Sequence, residues 1–150
     1  MPNFRTTEQI MNIVADIAKG AFRVTTDLLY QWAGITTDAT PKEIFLEATT
    51  NRFPMPLSST LTFNITLAGM DRVTGDAITA HFEGSIKRTA AGTVSFISGS
   101  YTKSITKDDA TWDTEIIADD VNKALVLQVT GDATNAVDWA AAGSLVTINI

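Results

Sequence analysis

The spacing of apolar residues changes once along this chain, and the change divides it. Residues 8–21 repeat at the helical interval, whereas nearly everything from Thr60 onward alternates apolar and polar at period two. Leu61, Phe63, Ile65 and Leu67 fall on one side, with Thr62, Asn64 and Thr66 on the other. Further on, Ile78, Ala80, Phe82 and Ile86 oppose Thr79, His81, Glu83, Ser85 and Lys87. The first pattern predicts an amphipathic helix and the second a set of half-buried strands.

The helix has its own start and stop. Thr6 stands at the N-cap position with Gln9 three residues on, as in a capping box, and Gly20 ends the run. Between them Ile10, Ile13 and Ile17 form one apolar stripe, and Met11, Val14 and Ala18 form a second beside it. Isoleucine at both a-like and d-like positions favours three-stranded packing in parallel coiled coils. Two readings follow: a threefold contact between copies, or a helix laid on its own sheet.

Phe22 to Gly34 is mixed, and Asp27-Leu28-Leu29-Tyr30-Gln31-Trp32 fits either a strand or a helical turn. Asp38-Ala39-Thr40-Pro41 reads as a turn, and Glu43-Ile44-Phe45-Leu46-Glu47 as the first strand of the main domain. Asn51-Arg52-Phe53-Pro54-Met55-Pro56 belongs at an edge or crossing, because proline offers no ladder donor. Six further strands are expected near 60–70, 77–88, 93–105, 111–118, 123–130 and 136–149, separated by Gly- and Asp-bearing turns. The expected fold is mainly β: an antiparallel β-sandwich or jelly-roll-like domain over residues 35–150, preceded by a short N-terminal α-helical arm over residues 1–34. The change of period at that boundary further predicts that the β domain folds without the arm.

Composition narrows the chemistry. The chain has 150 residues and no cysteine, which removes disulfide, thiol and zinc-thiolate chemistry. Residues 107–138 hold eight acidic residues against Lys107 and Lys123, and so carry the entire net charge of −6. With no basic face, nucleic-acid binding through phosphates is not expected. No apolar stretch is long enough to cross a bilayer, and the N-terminus lacks the apolar core of a signal peptide. Synthesis in a cytoplasm, with no membrane partner, is the expectation.

Three constellations could carry chemistry. His81, the only histidine, lies on the polar side of its strand and has no nucleophile elbow to serve, so a Ser-His-Asp triad is not expected. Asp108, Asp109, Asp119, Asp120 and Asp132 could ligate calcium, or pair as the carboxylates of a glycosidase. Their spacing matches no EF-hand loop. Aspartate initiates turns and is solvated there, so the acidic stretch is expected to be neither catalytic nor needed for the fold. Trp112 and Trp139 sit in strands, where core packing is the default, while Trp32 lies outside the main domain and is a candidate interface anchor.

The order of motifs over residues 43–150 is familiar. Glu43-Ile44-Phe45-Leu46 precedes Asn51-Arg52-Phe53-Pro54-Met55-Pro56 and Ser58-Ser59-Thr60-Leu61-Thr62-Phe63. Ala110-Thr111-Trp112-Asp113 and Ala118-Asp119-Asp120-Val121-Asn122-Lys123-Ala124-Leu125 follow, then Val129-Thr130-Gly131 and Val137-Asp138-Trp139-Ala140-Ala141. This order resembles a β-rich domain recurring in bacteriophage virion and tail-fibre-like structural proteins. The chain departs from that pattern at Asp138-Trp139-Ala140-Ala141-Ala142, where the resemblance implies a basic residue before the tryptophan and larger residues after it. The run of small residues predicts a tight packing site instead.

The resemblance implies virion structure and oligomerisation, commonly trimeric, rather than a reaction. The expected function is therefore that of a non-enzymatic virion protein, a homotrimeric capsid decoration (cement) or short-fibre protein acting by adhesion. Its expected partners are its own copies and other virion proteins such as the major capsid protein. Ile10, Met11, Ile13, Val14, Ile17 and Trp32 are the candidate interface residues, and no catalytic, cofactor or metal-binding residue is expected. The rival readings are a host-glycan receptor-binding module of a tail fibre and a small polysaccharide hydrolase.

Overall fold

The computed structural model of the protein describes residues 23–47 and 50–150, with residues 23–28 described through their backbone alone. The helix expected before Gly20 falls outside these residues. The segment left open between helix and strand is a strand: β1 runs Arg23–Thr36 and pairs antiparallel with the last strand along its length. Residues 23–34, assigned by period to the arm, are thus part of the sheet. Nine more strands follow: β2 Lys42–Leu46, β3 Phe53–Pro54, β4 Ser59–Asp71, β5 Ala77–Arg88, β6 Val94–Phe96, β7 Thr102–Lys107, β8 Asp113–Asp119, β9 Ala124–Thr130 and β10 Val137–Asn149. The single strand expected over 93–105 is two, interrupted at Ile97–Tyr101, where Gly99 takes a φ of 72°.

All these strands join one ten-stranded sheet in place of the two facing sheets of a sandwich. Its order is β3-β9-β2-β1-β10-β4-β5-β6, with β7 added on β5 and β8 on β9, and every pairing is antiparallel. The long strands β1, β10, β4 and β5 form a wall. The short strands β8 and β9 lie beyond β2, which divides its length between them: Lys42–Ile44 pairs with β9, while Phe45 and Leu46 pair with β1. A strand shared in this way turns a corner, and the sheet curls round a single core. At the corner β2 comes hard against Gly34, where a Cβ would stand 2.6 Å from Ile44 Cγ2. Only glycine permits that approach.

The wall strands bury every second residue, as their period requires. Leu61, Phe63, Ile65 and Leu67 of β4, Ile78, Phe82 and Ile86 of β5, and Val137, Trp139 and Leu145 of β10 face inward. In β9 the apolar run Ala124–Leu127 is buried throughout, as suits a strand enclosed on both faces. Trp139 of β10 and Trp112, which immediately precedes β8 instead of lying in it as expected, meet in the core with ring centroids 6.1 Å apart. Trp139 also packs so closely over Gly69 that a Cβ there would lie 2.6 Å from its ring carbons. Its indole Nε1 donates to Thr36 Oγ1 at 2.9 Å, a buried bond between the end of β1 and the start of β10. Trp32 is in the same core and only 2% exposed, although its sequence position suggests a surface anchor.

The curl closes without a ladder. Side chains bridge the outer edge of β8 to β6 and β7. Lys103 Nζ donates to Thr114 O at 3.0 Å, and Tyr101 Oη accepts from Ile116 N at 3.3 Å. The Asp120 carboxylate accepts from Val94 N at 2.6 Å and from Lys123 Nζ at 2.7 Å. Lys107 Nζ reaches Ala110 O at 2.8 Å and also bonds Trp112 O. Backbone groups that would otherwise be orphaned are satisfied by side chains distant in sequence. Asp120 thus bonds a strand remote in the sequence, a contact beyond the local turn chemistry expected of the acidic stretch.

Candidate interaction surface

The outward residues of the wall form two zones. Over β4 and β5 they are polar and bonded across the strands: Thr62 with Ser85 at 2.9 Å, Asn64 with Glu83 at 3.0 Å, and Thr66 with His81 at 3.3 Å. His81 also contacts Glu83 at 3.3 Å and is exposed, on the polar side where alternation puts it. Over β1, β10 and the Ala68–Met70 end of β4 the outward residues are largely apolar, with Gln31, Thr66 and Ser144 among them. Ala33, Ala140 and Ala68 stand opposite one another across the three strands, with Gln31, Ala142 and Thr66 in the next row. These rows floor an open depression of about 760 Å³. The alanine run that departs from the phage pattern is this floor, a packing site that lies open among the described residues.

Larger apolar side chains surround it. Val146 and Ile148 continue the outer face of β10, 38% and 45% exposed, and Leu29 is 61% exposed. At the opposite end stand Ile35 and Met70, beside the bidentate pair of Arg72 with Asp138 at 2.7 Å. Scattered surface leucines need no account, but apolar side chains gathered on one side of a sheet make a candidate contact surface. Ile10, Met11, Ile13, Val14 and Ile17 lie outside the described residues, so this surface is built from residues that periodicity alone had not singled out.

The acidic residues mostly shape turns. Asp119 Oδ1 accepts from Val121 N at 2.8 Å and Asn122 N at 3.0 Å, and Asp132 Oδ1 from Thr134 N at 2.6 Å and Asn135 N at 2.8 Å. Asp109 Oδ1 accepts from Thr111 N at 2.7 Å and from the Thr111 hydroxyl at 2.6 Å. Among the described residues, no group of three or more histidine, aspartate and glutamate side chains is arranged to hold a metal ion. The tryptophans that could stack on sugars are all buried.

These bonds set the response to acid. The Thr134 and Asn135 amides hold Asp132 below the usual carboxylate range; the Thr111 hydroxyl and amide do the same for Asp109. The Lys123 ammonium and the Val94 amide lower Asp120. At Asp71 burial pushes the pKa up, but the Thr74 and Val73 amides, with the Asn135 side chain, outweigh it. A carboxyl lowered by folding contributes stability above its unfolded value, about 3.9, and loses it as pH falls through the folded value. The melting temperature is therefore expected to stay nearly level from about pH 7 to 5 and to drop below about pH 4. Thermal melts across that range check this, and a melting point that rises on acidification would contradict it.

No family model matches the chain, and no curated protein matches it. Among solved structures, the Acinetobacter phage vB_ApiP_P1 tailspike protein is similar at a TM-score of 0.30 and 12% identity, over 87% of this chain. The chain spans about a fifth of that tailspike's length, 22% of it. No helix among the described residues is long and apolar enough to cross a membrane.

Proposed function

We propose that this is a non-enzymatic bacteriophage structural protein that works by adhesion: a homotrimer that decorates a capsid or forms a short fibre. The observation that carries the reading is the apolar outer face of β1, β10 and β4, with Val146, Ile148, Leu29, Ile35 and Met70 exposed beside the alanine floor. A chain that folds round one core and still presents such a face is suited to assembly. The order of motifs over residues 43–150 supplies the phage context, and the two apolar stripes before Gly20 supply the threefold preference.

The rival readings find less support. A glycan-binding module calls for exposed aromatic platforms, and Trp32, Trp112 and Trp139 are all in the core. A hydrolase calls for two carboxylates facing each other across a sugar cleft, and Asp109, Asp119 and Asp132 are engaged in their own turns. Light scattering on the full chain should give about three times the 16.1 kDa chain mass. A stable monomer at micromolar concentration would remove the trimer, and failure to co-sediment with phage particles would remove the adhesion.

A further inference from the structure

We propose that, granted the assembly put forward above, copies of this protein meet margin to margin across the outer face of the wall. Glu47 of one copy meets His81 of the next, and the contact is gated by pH.

Strand register sets the geometry. Gln31, Ala142, Thr66, His81 and Ser104 stand opposite one another across β1, β10, β4, β5 and β7, so they form one row of the outer face. Glu47 joins that row at its β1 end, where its amide donates to Gln31 O at 2.9 Å. Its backbone takes a φ of 54°, a left-handed conformation uncommon for a residue with a side chain, and it lines the alanine-floored depression. Thr66, bonded to His81, lines the same depression from the other flank. The acid and the imidazole thus stand at one height on opposite margins, with three strand spacings, roughly 14 Å, between Gln31 and His81. Within one chain they do not meet.

Charge makes the two margins complementary. Glu47 is exposed, and its carboxylate has no ion-pair partner among the described residues. His81 contacts Glu83 at 3.3 Å, and its neighbours across the strands, Thr66 of β4 and Ser104 of β7, carry no charge. An imidazolium in that position sits between Glu83 of its own chain and Glu47 of the next copy. A neutral imidazole leaves the two carboxylates facing each other. An ordinary imidazole takes up its proton near about pH 6.5, and a second carboxylate favours the charged form. The contact is therefore strongest below that range and weakens as pH rises through it.

A contact between opposite margins of one face is head-to-tail, and it closes a ring when the axis runs along the strands. Three walls then turn Ala33, Ala140 and Ala68 toward the axis, where small side chains let them approach.

Native cysteine is absent, so introduced thiols report without background. Full-length Glu47→Cys and His81→Cys variants, shown to be folded by thermal melts, are mixed and oxidised mildly. Linked dimers are expected in the mixture and in neither variant alone. A link formed by either variant alone would bring like margins together and overturn the proposal, as would no link in the mixture. The unaltered chain supplies the second measurement. Its trimer dissociation constant is expected to rise on the order of tenfold or more from about pH 5.5 to 7.5, from about threefold per ion pair over the contacts of a ring. His81→Gln should remove that rise, and a constant level across the range would overturn the gate. A trimer without the mixed link loses this contact and keeps the assembly reading, whereas a monomer throughout loses both.

Discussion

A chain that begins at Gly34 is expected to lose its cooperative thermal transition. Such a truncation removes the arm together with β1 from Arg23 to Ala33, and with them the neighbour of β10 along most of its length. It also removes Trp32 from the core and the two positions through which β1 holds β2 at the corner. Loss of a buried tryptophan alone costs about 3–5 kcal/mol, against a total stability of about 5–15 kcal/mol for an ordinary domain. The bared ladder of β10 adds to that. A second chain beginning at Gly20 keeps β1 and should retain the transition. Circular dichroism melts distinguish the two. If the shorter chain gives a β-type spectrum and a sharp melt, β1 is an appendage after all.

Trp139→Ala should have the second largest effect, a loss of about 3–5 kcal/mol in denaturant unfolding. The ring packs on Gly69 and lies near Trp112, so its removal empties a large, closely packed space in the core. Thr36→Val isolates one part of the same arrangement. It keeps the shape of the side chain and removes the acceptor of the indole N–H, at an expected cost of about 1–3 kcal/mol. If Thr36→Val is neutral while Trp139→Ala is severe, packing alone accounts for the site. If Thr36→Val proves as costly as Trp139→Ala, the hydrogen bond joining β1 to β10 dominates.

Three wall strands could be read from the sequence almost to the residue, because each has one face in the core and one in water. β4, β5 and β10 show that alternation without a break. β1 hid for physical reasons. A bulge between Asp27 and Tyr30 adds one residue and shifts the alternation midway. Beyond it the inward positions are Trp32, Gly34 and Thr36, chosen for a crossing strand and a hydrogen bond, while apolar Ile35 points outward. Composition inverts there, and period analysis loses the strand. The turn aspartates were legible because their bonds are local. Asp120 was not, since its acceptor role is defined by Val94, which is remote in the chain. The alanine run after Trp139 announced close packing but carried no sign of which face it served.

The side-chain closure between β8 and its opposite edge bears on how copies of this protein can accumulate. An open strand edge is a template, and any further strand that docks on it renews the template for the next. Here Lys103 and Lys107 occupy carbonyls of the Ala110–Thr114 stretch, and Tyr101 takes an amide of β8. An ammonium or a phenol occupies a single backbone group and presents no strand of its own on the far side, so the ladder does not continue there. Growth by strand addition is blocked along that border, so crowded molecules are steered toward contacts between faces. Such contacts can close into particles of fixed size, where an unprotected border would feed fibres.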